Sequence, residues 1–253
     1  MVSRFHHMSH PFTSRSAGCG HALRFLPKTD STNRQARAWL EEGAVDGSVV
    51  VADYQTVGRG RFDRVWSASR GQNLLLTLIL RRPLPRPAWL PLLTGLAVAE
   101  TVAALLPTAD VRLKWPNDVR VGGRKLAGIL VESPAESTFL VGIGLNVNES
   151  EFPDDLATPP TSLLLESGQR FDRNDVFQRL MDQMQHILVL SEEDGEEAYR
   201  GRLEGVGQIV SLQDGRTGRM TGLDRSGGLV LHTDSGPIVV HSGDVSLRPP
   251  GST

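Results

Sequence analysis

The stretch QTVGRGRFDRVW, residues 55–66, carries the side chains with the clearest capacity for chemistry. Arg59, Arg61 and Arg64 fall within six positions of one another, and Gly58 and Gly60 precede the first two. A glycine adopts positive φ at little cost, so peptide N–H groups can close around an anion, and each guanidinium offers a planar set of donors that stays ionised. Three like charges this close repel one another. The pattern therefore predicts a mobile loop that wraps a strongly anionic ligand, most naturally a nucleotide polyphosphate.

A solvated basic turn is the alternative interpretation of this stretch, because short glycine-rich motifs are common. The flanking segments favour a binding site. SVVVADY, residues 48–54, and NLLLTLIL, residues 73–80, have the continuous apolar character of buried strands. A loop between two buried strands is well placed to present ligand-binding groups.

A second informative region spans residues 111–148. VRLKW alternates as a strand that ends near Pro116, and Gly122 and Gly123 form a hairpin turn into the strand RKLAGILVE. The next strand, TFLVGIGLNVN, follows after a short polar turn. This order predicts antiparallel strands that bring their polar ends together.

Lys125 follows the hairpin turn on a strand whose continuation is apolar. Its ammonium should lie at the rim of the core, where it could meet a developing negative charge, although a solvent-facing hairpin lysine is the alternative. Polar residues at strand ends are further candidates, because sheets of α/β proteins tend to bind ligands there. They are Asn117, Asp118, Asn146 and Asn148.

The segment TDSTN provides a helix start. Asp30, Ser31 and Thr32 are favourable N-cap types before a predicted helix over Asn33–Glu42, which Gly43 ends. A helix N-terminus can hold a carbonyl or carboxylate group, although such a motif also occurs as a plain cap.

Composition restricts the class of protein. The 253 residues are 39% hydrophobic and 22% charged with net charge −2, which argues against a general nucleic-acid binder and makes the arginine cluster a local feature. The single cysteine, Cys19, cannot form an internal disulfide, as expected in a reducing cytoplasm. The long apolar segment Ala88–Leu106 is interrupted by Pro91 and Glu100, so it predicts a core helix rather than a membrane span. The N-terminus lacks the apolar region of a secretory signal, and we expect a cytoplasmic protein.

The remaining segments complete the predicted domain organisation. Residues 1–22 lack periodicity and are expected to be disordered, and their histidines match no standard zinc spacing. Amphipathic helices are predicted at about 173–190 and 192–203. From residue 206 to 247, short alternating runs separated by glycine turns predict a small barrel of about five strands that leans on the first domain.

The motifs occur in the same order as in biotin protein ligases, the biotin–[biotin carboxyl carrier] ligase family, which the chain resembles from about residue 23 to 248. The matching segments are DSTN (30–33), YQTVGRGRFDRVW (54–66), KWPND (114–118), GRKLAGILVE (123–132) and GIGLNVN (142–148). The resemblance implies an α+β fold with a mixed central β-sheet and helices, of the class II synthetase-like kind, in a catalytic domain over 23–203. It also implies a small SH3-like C-terminal β-barrel over 204–250.

The resemblance implies a two-step reaction. Biotin and MgATP give biotinyl-5′-adenylate and pyrophosphate, and the acyl group then moves to one lysine of a biotin carboxyl carrier protein, by default the acetyl-CoA carboxylase subunit. ATP and biotin are thus substrates and Mg²⁺ an accompanying ion, for which Asp118 is a candidate ligand. A homodimer is a further expectation, because the central sheet has an exposed edge.

The resemblance also assigns roles to residues. Lys125 and Arg61 are the expected catalytic cations, with Lys125 beside the biotin carboxyl group. Biotin-binding positions are Ser31, Thr32, Asn33, Gln55, Gly58, Arg59, Gly60, Arg61 and Lys125. Nucleotide-binding positions are Arg61, Arg64, Trp66, Asn117, Asp118 and Asn146.

Two departures from the family pattern stand out. Asp63 occupies a position where glycine is usual, and its carboxylate could pair with Arg61 or Arg64. About 22 residues precede the catalytic region, too few for the DNA-binding winged helix of many bacterial members, so we expect a ligase without repressor activity. The competing hypotheses are a lipoate or octanoate transferase, which acts on similar carrier domains, and a DNA-binding regulator.

Overall fold

The structure, a computed structural model, describes residues 12–13, 18–154, 156, 158–212, 214–243 and 245–247. The side chain of Asp63 lies outside this description, and with it the predicted pairing of that carboxylate with a neighbouring arginine. The three N-terminal histidines also lie outside it.

A mixed sheet of seven strands, counted over the described residues, forms the centre of the fold. In spatial order it runs β1-β2-β3-β7-β6-β5-β4, and only β1 and β2 are parallel neighbours. The predicted mixed sheet with helices is therefore confirmed. The strands are β1 (Leu23–Leu26), β2 (Val49–Ala52), β3 (Leu74–Arg81), β4 (Val111–Lys114), β5 (Asp118–Val121), β6 (Arg124–Ala135) and β7 (Thr138–Leu145).

Helix α1 (Thr32–Glu41) covers one face of this sheet. Its Ala36 packs with Val50, Ile79 and Leu140 in a small separate core. Because side chains alternate along a strand, the neighbouring positions Val49 and Val51 of β2 point to the opposite face and its larger core. Both faces of β2 and β3 are thus covered, which explains their continuous apolar sequences.

Helices α2 (Leu90–Leu105) and α4 (Arg173–Ile187) pack on the other face, with α5 (Glu192–Arg202) beside α2. The stretch Pro87–Leu105 is long and apolar enough to cross a membrane by length and composition, but most of it is buried in this core, as the sequence predicted. The short helix α3 (Leu163–Ser167) follows the loop after β7.

The C-terminal part is an antiparallel sheet of five strands among the described residues, in the order β11-β10-β9-β8-β12. Two indole N–H groups fasten it to the central unit: Trp89 donates to the carbonyl of Arg225 and Trp115 to that of Gly227, both at 2.9 Å. This contact agrees with the expectation that the small unit leans on the large one. The strands are β8 (Ile209–Leu212), β9 (Thr217–Leu223), β10 (Leu229–Thr233), β11 (Gly236–Val240) and β12 (Val245–Leu247).

The described part of the N-terminal segment is packed, so the prediction of disorder over residues 1–22 is wrong there. Phe12 is fully buried, with its ring edge against Phe177 of α4 and a tilted contact with Phe25 of β1. Cys19 is buried as well, and burial raises the pKa of its thiol. An isolated aromatic residue has no periodicity, which is why the sequence pattern did not indicate this contact.

Candidate functional site

A cavity of about 460 Å³ opens on the face of the sheet that carries α1, beyond the start of that helix. Its walls come from parts of the chain far apart in sequence: the helix start, the arginine loop (residues 58–66), the β4-β5 turn, strands β6 and β7, and the loop before α3. One further wall residue, Ser246, comes from the C-terminal sheet.

Three glycines give the cavity its flat floor. Gly128 on β6 and Gly144 on β7 are direct cross-strand partners, and Gly142 pairs with Leu130 in the next position on the same face. A Cβ atom at Gly142 would lie 2.4 Å from Asn33 Oδ1, and one at Gly144 would lie 2.6 Å from the ring of Trp66. Both distances are shorter than the contacts that real Cβ atoms make. Asn33 and Trp66 can therefore lie against the floor only because these positions are glycines.

Trp66 closes one side of the cavity by lying against the floor. Its ring is within contact of the sites that a Cβ at Gly128 or Gly144 would fill, and Lys125 Nζ lies 5.6 Å from the ring centroid. The indole N–H is buried and has no acceptor among the described residues. Trp66 thus offers a ligand an aromatic surface and one donor.

The start of α1 supplies neutral polar groups. Ser31 occupies the N-cap position but makes no side-chain cap bond, while the backbone N–H and hydroxyl of Thr32 donate to Gln55 Oε1 at 2.7 and 3.1 Å. Asn33 Oδ1 accepts from the hydroxyl of Thr77 at 2.6 Å. Ser31, Thr32 and Asn33 are all buried, so this end of the cavity is a set of fixed donors and acceptors without net charge.

Asp30 stabilises the same helix start electrostatically. Burial raises the pKa of its carboxyl group, but hydrogen bonds from Arg34, the Ser31 backbone, Gln35 and Thr29 more than offset this and lower the pKa to about 2. The carboxylate therefore stays ionised at neutral pH and stabilises the N-terminal start of α1.

The arginine loop folds back on itself. Trp66 N–H donates to the carbonyl of Gly58 at 2.9 Å, and Gly60 N–H donates to that of Arg64 at 2.7 Å. A Cβ at Gly58 would lie 2.3 Å from the carbonyl oxygen of Trp66, so glycine is required for this close approach. At its tip Phe62 has φ of 55° and is exposed. A bulky residue with positive φ is unusual and marks backbone strain at the tip.

Side-chain contacts of Arg59 and Arg61 attach the loop to the sheet. Arg59 Nη1 lies 2.8 Å from Glu132 Oε1 on β6, and Arg61 Nη1 donates to Asn117 Oδ1 at 3.2 Å. These contacts hold the cationic loop at the cavity.

Lys125 lies on β6 beside the cavity, with its Nζ 2.8 Å from Asp118 Oδ1. The predicted position at the rim of the core is confirmed, since the side chain is only 28% exposed and lines the cavity. Asp118 is the sole carboxylate among the described residues of the cavity wall, and these residues contain no group of three metal-binding side chains.

The structure brings nearly all the predicted site residues into this one cavity. Gly58 lies at the base of the loop rather than in the wall, and Asn148, one of the strand-end candidates, has its amide bound to the backbone of Phe171 at 2.9 Å in both directions. The prediction for Asn148 is wrong, because its side chain binds the backbone and does not line the cavity. The residues in the wall are Ser31, Thr32, Asn33, Gln55, Arg59, Gly60, Arg61, Arg64, Trp66, Asn117, Asp118, Lys125 and Asn146.

Sequence reasoning missed other wall residues. Lys114 adds a further cation, and its place in the quoted KWPND motif could have indicated it. Phe152, Pro153 and Leu156 add an apolar rim from a loop whose proline-rich sequence carried no signal for a site. Their contribution depends on how the loop returns over β7, which the sequence pattern does not encode locally.

This arrangement combines a neutral polar end, a lysine beside a carboxylate and a cluster of arginines in a single cavity. Such a site can hold a small neutral head group together with a carboxyl group and a polyphosphate. The fold and the site together define a class: enzymes that activate a carboxylic acid with a nucleotide.

Comparison with known proteins identifies the family within that class. Residues 25–148 match the biotin/lipoate A/B protein ligase family, and residues 205–248 match the biotin protein ligase C terminal domain. The chain belongs to the biotin protein ligase family.

Similar relatives and structures span nearly the whole chain. A biotin–[acetyl-CoA-carboxylase] ligase of Mycobacterium tuberculosis is 36% identical over 90% of this chain and 90% of its own length. The bifunctional ligase/repressor BirA of Bacillus subtilis is 33% identical over 90% of this chain and 74% of its own length. The structure of a biotin protein ligase from Aquifex aeolicus in complex with biotin and ATP superposes with a TM-score of 0.80 at 30% identity, covering 90% of this chain and 99% of that one.

Proposed function

We propose that this chain activates biotin with ATP as biotinyl-5′-adenylate and transfers the biotinyl group to a lysine of a biotin carboxyl carrier protein. The observation that carries the proposal is the convergence of Lys125, the arginine loop and the neutral helix start on one cavity. Family membership and the named relatives support the same reaction.

The neutral end of the cavity would bind the ureido ring. Thr32, Asn33 and Gln55 are already fixed by hydrogen bonds to one another or to Thr77, so their remaining donors and acceptors are oriented before the ligand arrives. Such preorganisation avoids the entropy cost of ordering these side chains on binding. Ser31, whose hydroxyl makes no cap bond, completes this end.

Lys125 would contact the carboxyl group of biotin. A carboxylate is ionised at neutral pH, so it needs no general base: one of its oxygens attacks the α-phosphorus of ATP, the bond to the bridging oxygen breaks, and pyrophosphate leaves. Negative charge builds up around the reacting atoms during this step. A cation held at that position by a strand and by Asp118 stabilises the charge without reorganisation.

The arginine loop would bind the phosphates. Arg61 and Arg64, which line the cavity, would contact the α-phosphate and the departing pyrophosphate, and Arg59 would lie over biotin. Trp66 and Asn146 would pack beside the adenine, and Asn117 lies at the turn next to the phosphates. In the second step the lysine amine of the carrier attacks the acyl carbon, the anhydride bond breaks and AMP leaves.

Magnesium is an expected companion of ATP in this site. Mg²⁺ is commonly bound through one or two carboxylates together with substrate phosphates, and the described part of the cavity wall offers the carboxylate of Asp118. Asp118 would hold the ion, which neutralises phosphate charge, while the protein side chains orient the reactants.

The carrier would be the biotin-accepting subunit of acetyl-CoA carboxylase, which the names of relatives support. We propose that the reaction takes place in the cytoplasm, because the free thiol of Cys19 is in keeping with a reducing environment. A homodimer formed through an edge of the central sheet is a further part of the proposal.

The test incubates the protein with labelled biotin, MgATP and a carrier domain, with labelled lipoate in a parallel reaction. We expect label on the carrier from biotin and little from lipoate. Absence of carrier biotinylation, or equal labelling by lipoate, would contradict the proposal. The C-terminal match to biotin protein ligases is the observation that favours biotin over lipoate.

A further inference from the structure

Glu132 lies at the junction of the arginine loop and helix α1, yet it is outside the described cavity wall. Its side chain is 19% exposed, and both of its oxygens have partners. Oε1 lies 2.8 Å from Arg59 Nη1 of the loop. Oε2 accepts from Asn33 Nδ2 at 3.3 Å and lies 3.7 Å from Arg37 Nη2, both on α1. One carboxylate therefore joins two elements that close the cavity from different sides.

The orientation of the Asn33 amide depends on this contact. Its Oδ1 faces the hydroxyl of Thr77 at 2.6 Å, and its Nδ2 faces Glu132, so each end of the amide has a matching partner. Thr77 Oγ1 lies 2.9 Å from Thr32 Oγ1, and Thr32 binds Gln55. A continuous series of polar contacts thus runs from the loop arginine to the neutral end of the cavity.

We propose that Glu132 is a positioning residue that couples closure of the arginine loop to the ligand-binding orientation of Asn33. This inference rests on the proposed function, since it assigns the coupled groups to biotin. Glu132 does not line the cavity, so it acts through Arg59 and Asn33. Its removal should weaken binding of biotin and retention of the adenylate more than it slows the chemical step.

Replacement by glutamine tests the coupling with little change in size. A glutamine side chain has one acceptor oxygen, so it can accept from either Arg59 or Asn33 but presents N–H donors to the other. Flipping the Asn33 amide to suit the glutamine would turn Nδ2 toward Thr77, whose hydroxyl would then have to accept instead of donate. Glu132→Gln should therefore weaken the link between the loop and the helix start, and Glu132→Ala should remove it.

The experiment measures adenylate formation and the rate at which preformed biotinyl-5′-adenylate leaves the enzyme. For Glu132→Ala we expect KM for biotin and the release rate to rise about tenfold, with kcat within about threefold, because an interaction of the bound state is lost while the reacting groups remain. Glu132→Gln should raise KM for biotin and the release rate by a smaller factor, again with little change in kcat.

Glu100→Gln is the matched control. Glu100 pairs with Arg202 at 2.7 Å between α2 and α5, on the other side of the sheet and away from the cavity. This variant should leave KM and the release rate within about twofold of the parent, because neither residue of the pair lines the cavity.

Two results would overturn the inference. One is a Glu132 variant whose KM and release rate match those of Glu100→Gln. The other is a fall in kcat and in melting temperature without a rise in KM, which would show a purely structural role. If the parent enzyme forms no biotinyl-adenylate, the proposed function itself fails, and that result is visible before any variant is compared.

Discussion

The arginine loop and the two strands beneath it are held in different ways. Strands β6 and β7 pair along most of their length, and their floor positions are fixed by backbone hydrogen bonds and buried neighbours. The loop has a few internal backbone bonds, and side chains such as those of Arg59, Arg61 and Trp66 connect it to the sheet. Arg59 and Arg64 are exposed. Segments with few buried contacts open at low free-energy cost. The site therefore combines a rigid floor that sets geometry with a movable set of cations that can admit and release ligand.

Lys125 is the cation that belongs to the rigid part. It is placed by a strand and an ion pair, whereas the arginines lie on a loop outside the strands of the central sheet. The two regions should accordingly respond differently to mutation and to ligand.

The largest effect is expected from Lys125→Ala. Loss of a cation held beside the reacting atoms should lower the rate of adenylate formation about a hundredfold or more, since comparable electrostatic groups contribute a few kcal/mol to transition-state stabilisation. Pyrophosphate release under saturating biotin and ATP measures the rate, and circular dichroism confirms that the fold is retained. Lys28→Ala, at an exposed position, is the control. An unchanged rate in Lys125→Ala would remove this residue from the mechanism.

Ligand binding should change the protease accessibility of the arginine loop far more than that of the floor strands. Trypsin should cleave after the loop arginines in the free protein, and biotin with ATP should slow that cleavage about tenfold as opening becomes rarer. Mass spectrometry of the fragments identifies the sites. Cleavage at equal rates with and without ligands would contradict the distinction between a movable loop and a fixed floor.

Gly144→Ala tests the floor itself. The added Cβ would lie 2.6 Å from the Trp66 ring, so the ring must move away from the sheet. We expect KM for ATP to rise about tenfold, since a buried aromatic contact is displaced. Gly201→Ala on α5, where an added Cβ meets no atom within 4 Å, should leave KM unchanged. Parent-like kinetics for Gly144→Ala would show that Trp66 does not depend on this floor.

Replacement of Asp30 should have the smallest of the predicted effects, and this effect is on the stability of the fold. Its pKa of about 2 in the folded protein is below the ordinary value of 3.8, so its stabilising contribution is complete above about pH 4 and is lost as the pH falls toward 2. The carboxylate is 35% exposed, so Asp30→Asn should lower the free energy of unfolding by about 1 kcal/mol or less at pH 7. Urea unfolding of both proteins at pH 7 and pH 3 measures the difference, which should be smaller at the lower pH. A constant difference would contradict this account of the helix start.

The same two regions show what the sequence could predict. Helix α1 begins and ends only one residue earlier than predicted, because hydrophobic periodicity and cap residues are local signals. The arginine loop was recognisable from its composition. Its attachment to Glu132, and the fit of Trp66 to the distant floor glycines Gly128 and Gly144, depend on tertiary contacts that local patterns do not contain.

Polar residues at strand ends were the least predictable part. Asn146 and Asn148 are two positions apart and look equivalent in sequence. Both amides bind backbone groups, that of Thr161 and that of Phe171 respectively, yet Asn146 lines the cavity and Asn148 does not. Only the path of the following loop separates the two roles. The same holds for Phe12, whose burial against α4 depends on a contact distant in sequence.

A crystal structure with bound biotinyl-5′-adenylate tests the central claim most directly. We predict that an oxygen of the acyl-phosphate linkage lies within hydrogen-bond distance of Lys125 Nζ, with the ureido ring at Thr32 and Asn33. The guanidinium groups of Arg59 and Arg61 should close over the ligand. A ligand bound elsewhere, or arginines turned into solvent while Lys125 contacts no ligand atom, would contradict the account.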